Sequence, residues 1–241
     1  MARFKIIFKK YGESAILIEW PKKIDESILA DICNYSENLK AKNIKGITDI
    51  NVVYASMLVS FNNQIIKASE LVDALKVIYH NKYSITFFKA KTIEIPVCYD
   101  EEFGQDLNTF LQQKNMQKSE FTALHCETTY TVYGIGFLPG FLYLGGLHKK
   151  LFIPRKTTPN LKVLKGSVAI GGEQTGIYPQ NSPGGWHIVG STPLNLFNAN
   201  SKLPTFLKAG DKVRFKSISK AEYDLIRIQI TSNIYQFKEV V

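Results

Sequence analysis

KGSVAIGGEQTGIYPQNSPGGWHIVGSTPLNLF occupies residues 165–197. Its short apolar runs are cut every few residues by Gly-Gly, Tyr-Pro, Ser-Pro-Gly-Gly and Thr-Pro, a spacing too short for helices. Strands joined by tight turns are the remaining option, and short strands in this density predict a β-barrel. The stretch YTVYGIGFLPGFLYLGGL (130–147) has the same character. Nine of the sixteen glycines fall in 134–146 and 166–176, where the backbone must take conformations or approaches that a side chain would obstruct. Two short helices, 106–114 and 119–126, precede the barrel strands.

Working outward toward the N-terminus, residues up to about 90 alternate β-branched runs with amphipathic windows, an α+β pattern. Segments 4–8 and 15–20 read as strands around a Tyr-Gly turn, and Pro21 stops the second. Residues 25–42 place Ile28, Leu29, Ile32, Tyr35 and Leu39 at helical spacing behind Asp25 as N-cap. Segments 47–53 and 57–61 read as a hairpin, 69–79 as a second helix, and 92–97 as a strand. The fold class expected is therefore α+β: a two-layer α/β sandwich over 1–92, then a barrel over 93–241.

The chain has 241 residues, 45% hydrophobic and 12% aromatic, enough for one sizeable core or two small ones and too apolar for intrinsic disorder. No apolar run approaches the roughly 20 residues needed to span a bilayer. The start, MARFKIIFKKYGES, lacks the apolar core and cleavage site of a secretory signal. A cytoplasmic location without membrane contact is the resulting expectation. Cys33, Cys98 and Cys126 are odd in number and widely spaced, arguing against a disulfide framework or a zinc site. No metal is expected. Thirty Lys and Arg against 21 Asp and Glu give a net charge of +9, and residues 149–216 alone hold eleven basic side chains against Glu173 and Asp211. Charge concentrated in one segment rather than along a stripe suits a small anion and no nucleic acid. Only four cations are arginines, so Arg155, inside the Pro-bounded loop IPRKTTP (153–159), stands out as a planar fork for carboxylate or phosphate.

Taken in order, YGESAILIEW (11–20), IPVCYDEEFGQDL (95–107), the stretch 130–147, IPRKTTP, the stretch 165–197 and GDKVRF (210–215) resemble the 5-oxoprolinase B subunit family. That family is also known as allophanate hydrolase subunit 1 or the histidine-kinase-inhibitor family. The resemblance covers nearly the whole chain. It implies that the barrel is cyclophilin-like. It also implies that the chain works with the C and A subunits of 5-oxoprolinase to convert 5-oxo-L-proline into L-glutamate at the expense of ATP, used with Mg and bound by or shared with a partner. Inhibition of a sensor histidine kinase, or an allophanate hydrolase or urea amidolyase role, is the alternative. Where the family carries further arginines, this chain has Asn160 and Ser191; Lys162 and Lys165 are nearby as point charges, without the bidentate fork.

Candidate site residues follow. His125, matching the family's H-x4-Y with Tyr130, is a candidate catalytic base or a satisfied structural histidine. Phe137 and Pro139, with Gly140, Phe141 and Tyr143, read as one wall of a ligand groove or as a packed corner. Gln174, Thr175 and Tyr178 are candidates to hydrogen-bond an amide such as a lactam. Trp186, in Ser-Pro-Gly-Gly-Trp-His, is a hydrophobic wall beside an anion nest or a core plug. Arg155 is the expected contact for a substrate anion, the alternative being a plain surface cation. Glu173 reads as a salt-bridge partner or a base. No phosphate loop, nucleophile elbow, zinc-protease helix or dinucleotide fingerprint occurs.

Overall fold

The computed structural model describes residues 4–81 and 89–240. The chain divides into two compact units, 1–89 and 90–241.

Among its described residues the first unit is a four-stranded antiparallel sheet with two helices. In chain order it contains β1 (Ile7–Lys10), β2 (Ala15–Glu19), α1 (Glu26–Lys42), β3 (Ile47–Val53), β4 (Ser56–Phe61) and α2 (Ala68–His80). The sheet order is β1-β2-β4-β3. Period-two alternation buries Ile16 and Ile18 of β2 and Met57, Val59 and Phe61 of β4. The helices cover that face with Ile28, Ile32, Tyr35 and Leu39 of α1 and Leu71 and Leu75 of α2. Asp25 caps α1, its carboxylate accepting from Ser27 N at 2.9 Å, and Asn43 ends the helix at φ 45°. The first strand differs from the expected 4–8. Pairing Lys10 with Ile16 carries β1 up to the turn, and Phe4 and Ile6 pack on the core ahead of it.

The second unit contains β5 (Thr92–Cys98), α3 (Leu107–Lys114), α4 (Lys118–Glu127), β6 (Thr129–Ile135), β7 (Leu142–Gly145), β8 (Asn160–Val163), β9 (Ser167–Gly171), β10 (Gln174–Ile177), β11 (Ser182–Gly184), β12 (His187–Ser191), β13 (Lys212–Ile218), α5 (Lys220–Thr231) and β14 (Glu239–Val240). Seven strands in the order β6-β13-β5-β12-β9-β10-β7 close when β7 pairs with β6. Only β5 with β13 is parallel, Thr92 opposite Lys212 through Cys98 opposite Ile218. Closure removes the free edges and encloses Ile95, Val97, Val132, Leu144, Val168, Ile170, Val213 and Phe215. β8 and β11 form a separate ribbon. α5 is an element the sequence reading lacked. Its signal is the capping box Ser219 and Glu222 ahead of the 3.6-period apolar residues Ile226 and Ile230, which pack on the barrel.

Candidate functional site

The loop between β6 and β7, the 152–159 loop, the end of β10 and the β11–β12 turn converge on a groove of about 280 Å3. Phe141, Tyr143, Tyr178 and Trp186 form its aromatic body. Phe141 meets Tyr178 and Trp186 edge-on, with centroids at 5.1 and 5.6 Å. Such edge-to-face packing fixes ring orientation. Two glycines make room for it. A Cβ on Gly171 would lie 2.6 Å from the Trp186 ring, and one on Gly184 would lie 2.2 Å from the Tyr178 hydroxyl. Phe137, 64% exposed, stands on the rim in the left-handed region at φ 61°. A non-glycine residue persists there only when its surroundings hold it.

Arg155 is exposed at the mouth, its Cζ 5.7 Å from the Trp186 ring centroid. Among the described residues it forms no ion pair, so the fork is available to an outside anion. Burial raises the phenols of Tyr143 and Tyr178 above the usual tyrosine range, with the Arg155 charge opposing it. Both stay neutral hydroxyls at neutral pH. A flat, partly apolar anion fits this arrangement: rings for its faces, one guanidinium for its carboxylate.

Arg155 also borders a second, more polar pocket of about 530 Å3, lined by Asp106, Thr109, Gln113, Lys156 and His187 among others. Lys156 donates to Asp106 Oδ1 at 2.6 Å and to Asn160 Oδ1 at 3.1 Å. Asn160, standing where the family resemblance leads one to expect arginine, is thus part of the loop's internal bonding. A third cavity, about 310 Å3 and lined by Trp20, Lys22 and Tyr54, belongs to the first unit.

The residues expected from sequence separate into two groups. Phe137, Arg155, Tyr178 and Trp186 meet in the groove. Pro139 is exposed beside it, and Gln174 is half-buried at the start of β10. His125 and Thr175 are fully buried in the barrel. His125 lies at the end of α4, its ring 4.6 Å from and nearly parallel to Phe215. Thr175 Oγ1 donates to Ala169 O at 3.1 Å and therefore accepts from His125 Nε2–H at 3.0 Å. His125 Nδ1 is left to accept from the Tyr99 hydroxyl at 2.7 Å. Burial drives the imidazole pKa down to about 3. Both ring nitrogens are engaged inside the core, as in a satisfied structural histidine. Glu173 is exposed at the β9–β10 turn and pairs with no cation among the described residues, which corrects its reading as a salt-bridge partner. Gly172 at φ 65° turns the chain into solvent just before it. Sequence reasoning missed Asp106 and Lys156, fifty residues apart. Asp106 was visible only as part of FGQDL, and nothing in spacing links it to the arginine loop.

Among the described residues no group of three or more His, Cys, Asp or Glu side chains is placed to hold a metal ion. No helix among them is long and apolar enough to cross a membrane.

The family described as carboxyltransferase domain, subdomain C and D, matches residues 6–207. The 5-oxoprolinase B subunit of Bacillus subtilis (strain 168) is 45% identical over 133 residues, 55% of this chain and 55% of that protein. The 5-oxoprolinase B subunit of Haemophilus influenzae is 42% identical over 177 residues, 73% of this chain and 83% of that protein. The match thus spans about half the length of the first relative and most of the second. The crystal structure of Kluyveromyces lactis urea carboxylase superposes with a TM-score of 0.78 over 98% of this chain and 24% of that one. At 18% identity this likeness concerns the fold alone.

Proposed function

This chain belongs to the carboxyltransferase subdomain C and D family, on the 5-oxoprolinase B-subunit side of it, and from that premise we propose that it is the lactam-binding subunit of an ATP-dependent 5-oxoprolinase. The substrate class is a small anionic lactam, 5-oxo-L-proline, seated in the barrel groove. The observation that carries this reading is Arg155: an exposed guanidinium without an ion-pair partner among the described residues, lying over Trp186 at the mouth of an aromatic groove. Its fork donates two parallel N–H bonds to the ring carboxylate, while Trp186 and Phe141 cover the ring faces. The neutral hydroxyls of Tyr143 and Tyr178 line the same groove and supply donors for the lactam carbonyl. Anchoring and orienting the ring is the contribution derived for this chain.

The groove does not fit ATP. Its lining contains one cationic side chain, Arg155, and a polyphosphate needs several charges or a cradle of backbone N–H groups. We assign the nucleotide and its Mg to the partner side. The immediate partner in this reading is the C subunit; the third, or A, subunit then completes ring opening to L-glutamate.

Calorimetric titration of the assembled complex with 5-oxo-L-proline tests the reading. Arg155→Lys keeps the charge and loses the fork, so affinity is expected to fall by roughly 1–3 kcal/mol, the range of a charge-assisted hydrogen bond. Equal affinities for wild type and variant would remove Arg155 from the site and with it the basis for the proposal.

A further inference from the structure

Asp106 stands at the N-cap position of α3, with φ −102° and ψ −4°, yet its side chain makes no bond to that helix. An aspartate in this place ordinarily accepts from a first-turn N–H, and that bond is given up here. Both oxygens are turned elsewhere. Oδ1 accepts from Lys156 Nζ at 2.6 Å, and Oδ2 accepts from the Ile188 backbone N–H at 2.8 Å. The Asp106 N–H donates back to Ile188 O at 2.9 Å. Gly104, two residues earlier, permits this approach, since a Cβ there would lie 2.7 Å from Val189 O. The FGQDL motif thus docks the start of α3 onto β12.

The Asp106–Lys156 pair differs from the other ion pairs among the described residues. Lys156 is 21% and Asp106 16% exposed, whereas in pairs such as Lys150–Glu120 and Lys220–Glu102 both side chains are 44% exposed or more. A shielded, singly paired charge holds its geometry better than a surface pair. Lys156 is fastened a second time, its N–H donating to Gly185 O at 2.8 Å, next to Trp186. Its neighbour Arg155 has no such bond; its guanidinium stands over the Trp186 face. What holds the arginine in place is therefore the loop, which the Pro154 O bond to His187 Nε2 and the Gly185 O bond fasten along its backbone and Asp106 fastens through the Lys156 side chain.

We propose that Asp106 is a positioning residue for Arg155: it anchors the 154–160 loop so that the guanidinium stays over Trp186, and so sets anion affinity without touching the ligand. This inference rests on the reading of the groove given above, and the test separates the two. The chain is labelled with 5-fluorotryptophan, which places one 19F probe at Trp20 and one at Trp186. Asp106→Asn and Lys156→Met, which cut the pair from opposite sides, are expected to move the Trp186 resonance toward its position in Arg155→Ala and to leave Trp20 unchanged. In the assembled complex each should weaken 5-oxo-L-proline binding by about tenfold, the scale of losing one hydrogen bond to a charged group. Added to Arg155→Ala, neither should weaken it further. If Asp106→Asn does not fold, Lys156→Met alone decides. An unmoved Trp186 resonance, or losses that add to that of Arg155→Ala, would overturn the positioning role. A moved resonance with unchanged 5-oxo-L-proline affinity in all variants would overturn the groove reading and with it the effect on anion affinity, while the anchoring of Arg155 over Trp186 by Asp106 would stand.

Discussion

His125 is held neutral by the barrel interior, and this has a measurable consequence for stability. Burial lowers its native pKa to about 3, while in the unfolded chain an imidazole titrates near 6.5. Between those values the unfolded state binds the additional proton, so stability is present in full above about pH 6.5 and is lost as the pH falls through that window. The expected loss attributable to this residue at pH 5.5 is about 1.4 kcal/mol. Urea unfolding of wild type and His125→Gln at pH 8 and pH 5.5 isolates it, because all other titrating groups are common to both proteins. The wild type should lose about that much more than the variant; equal losses would mean that His125 titrates as an exposed imidazole. Its partners Tyr99 and Thr175 complete a hydrogen-bonded row through the core, which accounts for a histidine buried without charge compensation.

Among the elements, α5 depends most on its own ends. It contributes no fully buried residue, so little core packing compensates for a lost cap. Ser219 Oγ accepts from Glu222 N at 3.2 Å, and Glu222 Oε2 accepts from Ser219 N at 2.8 Å. Donation from the Ser219 N–H, and from its hydroxyl, to Oε2 holds the Glu222 carboxyl below the usual range. Ser219→Ala is expected to cost about 1 kcal/mol, seen as faster amide exchange in the first turns of 220–231, with exchange in β5 and β13 unchanged. Exchange that stays slow in α5 would show that packing of Ile226 and Ile230, rather than the cap, holds the helix. The ribbon of β8 and β11 makes a related point: Ser182 pairs with Val163 and Gly184 with Asn160 across a register shift, and this pairing brings Gly184 against Tyr178.

For the whole molecule, the two units differ in what they offer. The barrel unit carries the groove, the arginine and the polar pocket beside it. In the first unit the buried polar bonding is internal, Trp20 Nε1 and the Tyr79 hydroxyl both donating to Asp31 Oδ2 at 2.7 and 2.8 Å. The chain supplies a cation and neutral hydroxyls but no assembled nucleophile and base at the groove. Purified alone, it is expected neither to hydrolyse ATP nor to open 5-oxo-L-proline, and to gain both activities only with its partner subunits. Release of L-glutamate by the isolated chain, followed by amino-acid analysis, would contradict this.

Periodicity and punctuation in the sequence determined the element types, because burying one face of a strand or helix imposes a spacing of 2.0 or 3.6 that any reader of the chain can recover. Residues 25–42, with Asp25 as cap, and the glycine-dense barrel strands were legible for that reason, as was the family, which rests on ordered local motifs. The side of the wall on which each polar residue lies was decided only by tertiary structure. Gln174 and Thr175 are adjacent, and a shift of one residue in pairing with β9 and β7 would exchange their faces. Barrel closure sets that register, placing Thr175 against His125 rather than in the groove. Asp106 and Lys156 meet for the same reason: residues 50 positions apart are brought together by strand pairings whose partners are distant in the chain, and no local spacing encodes such a contact.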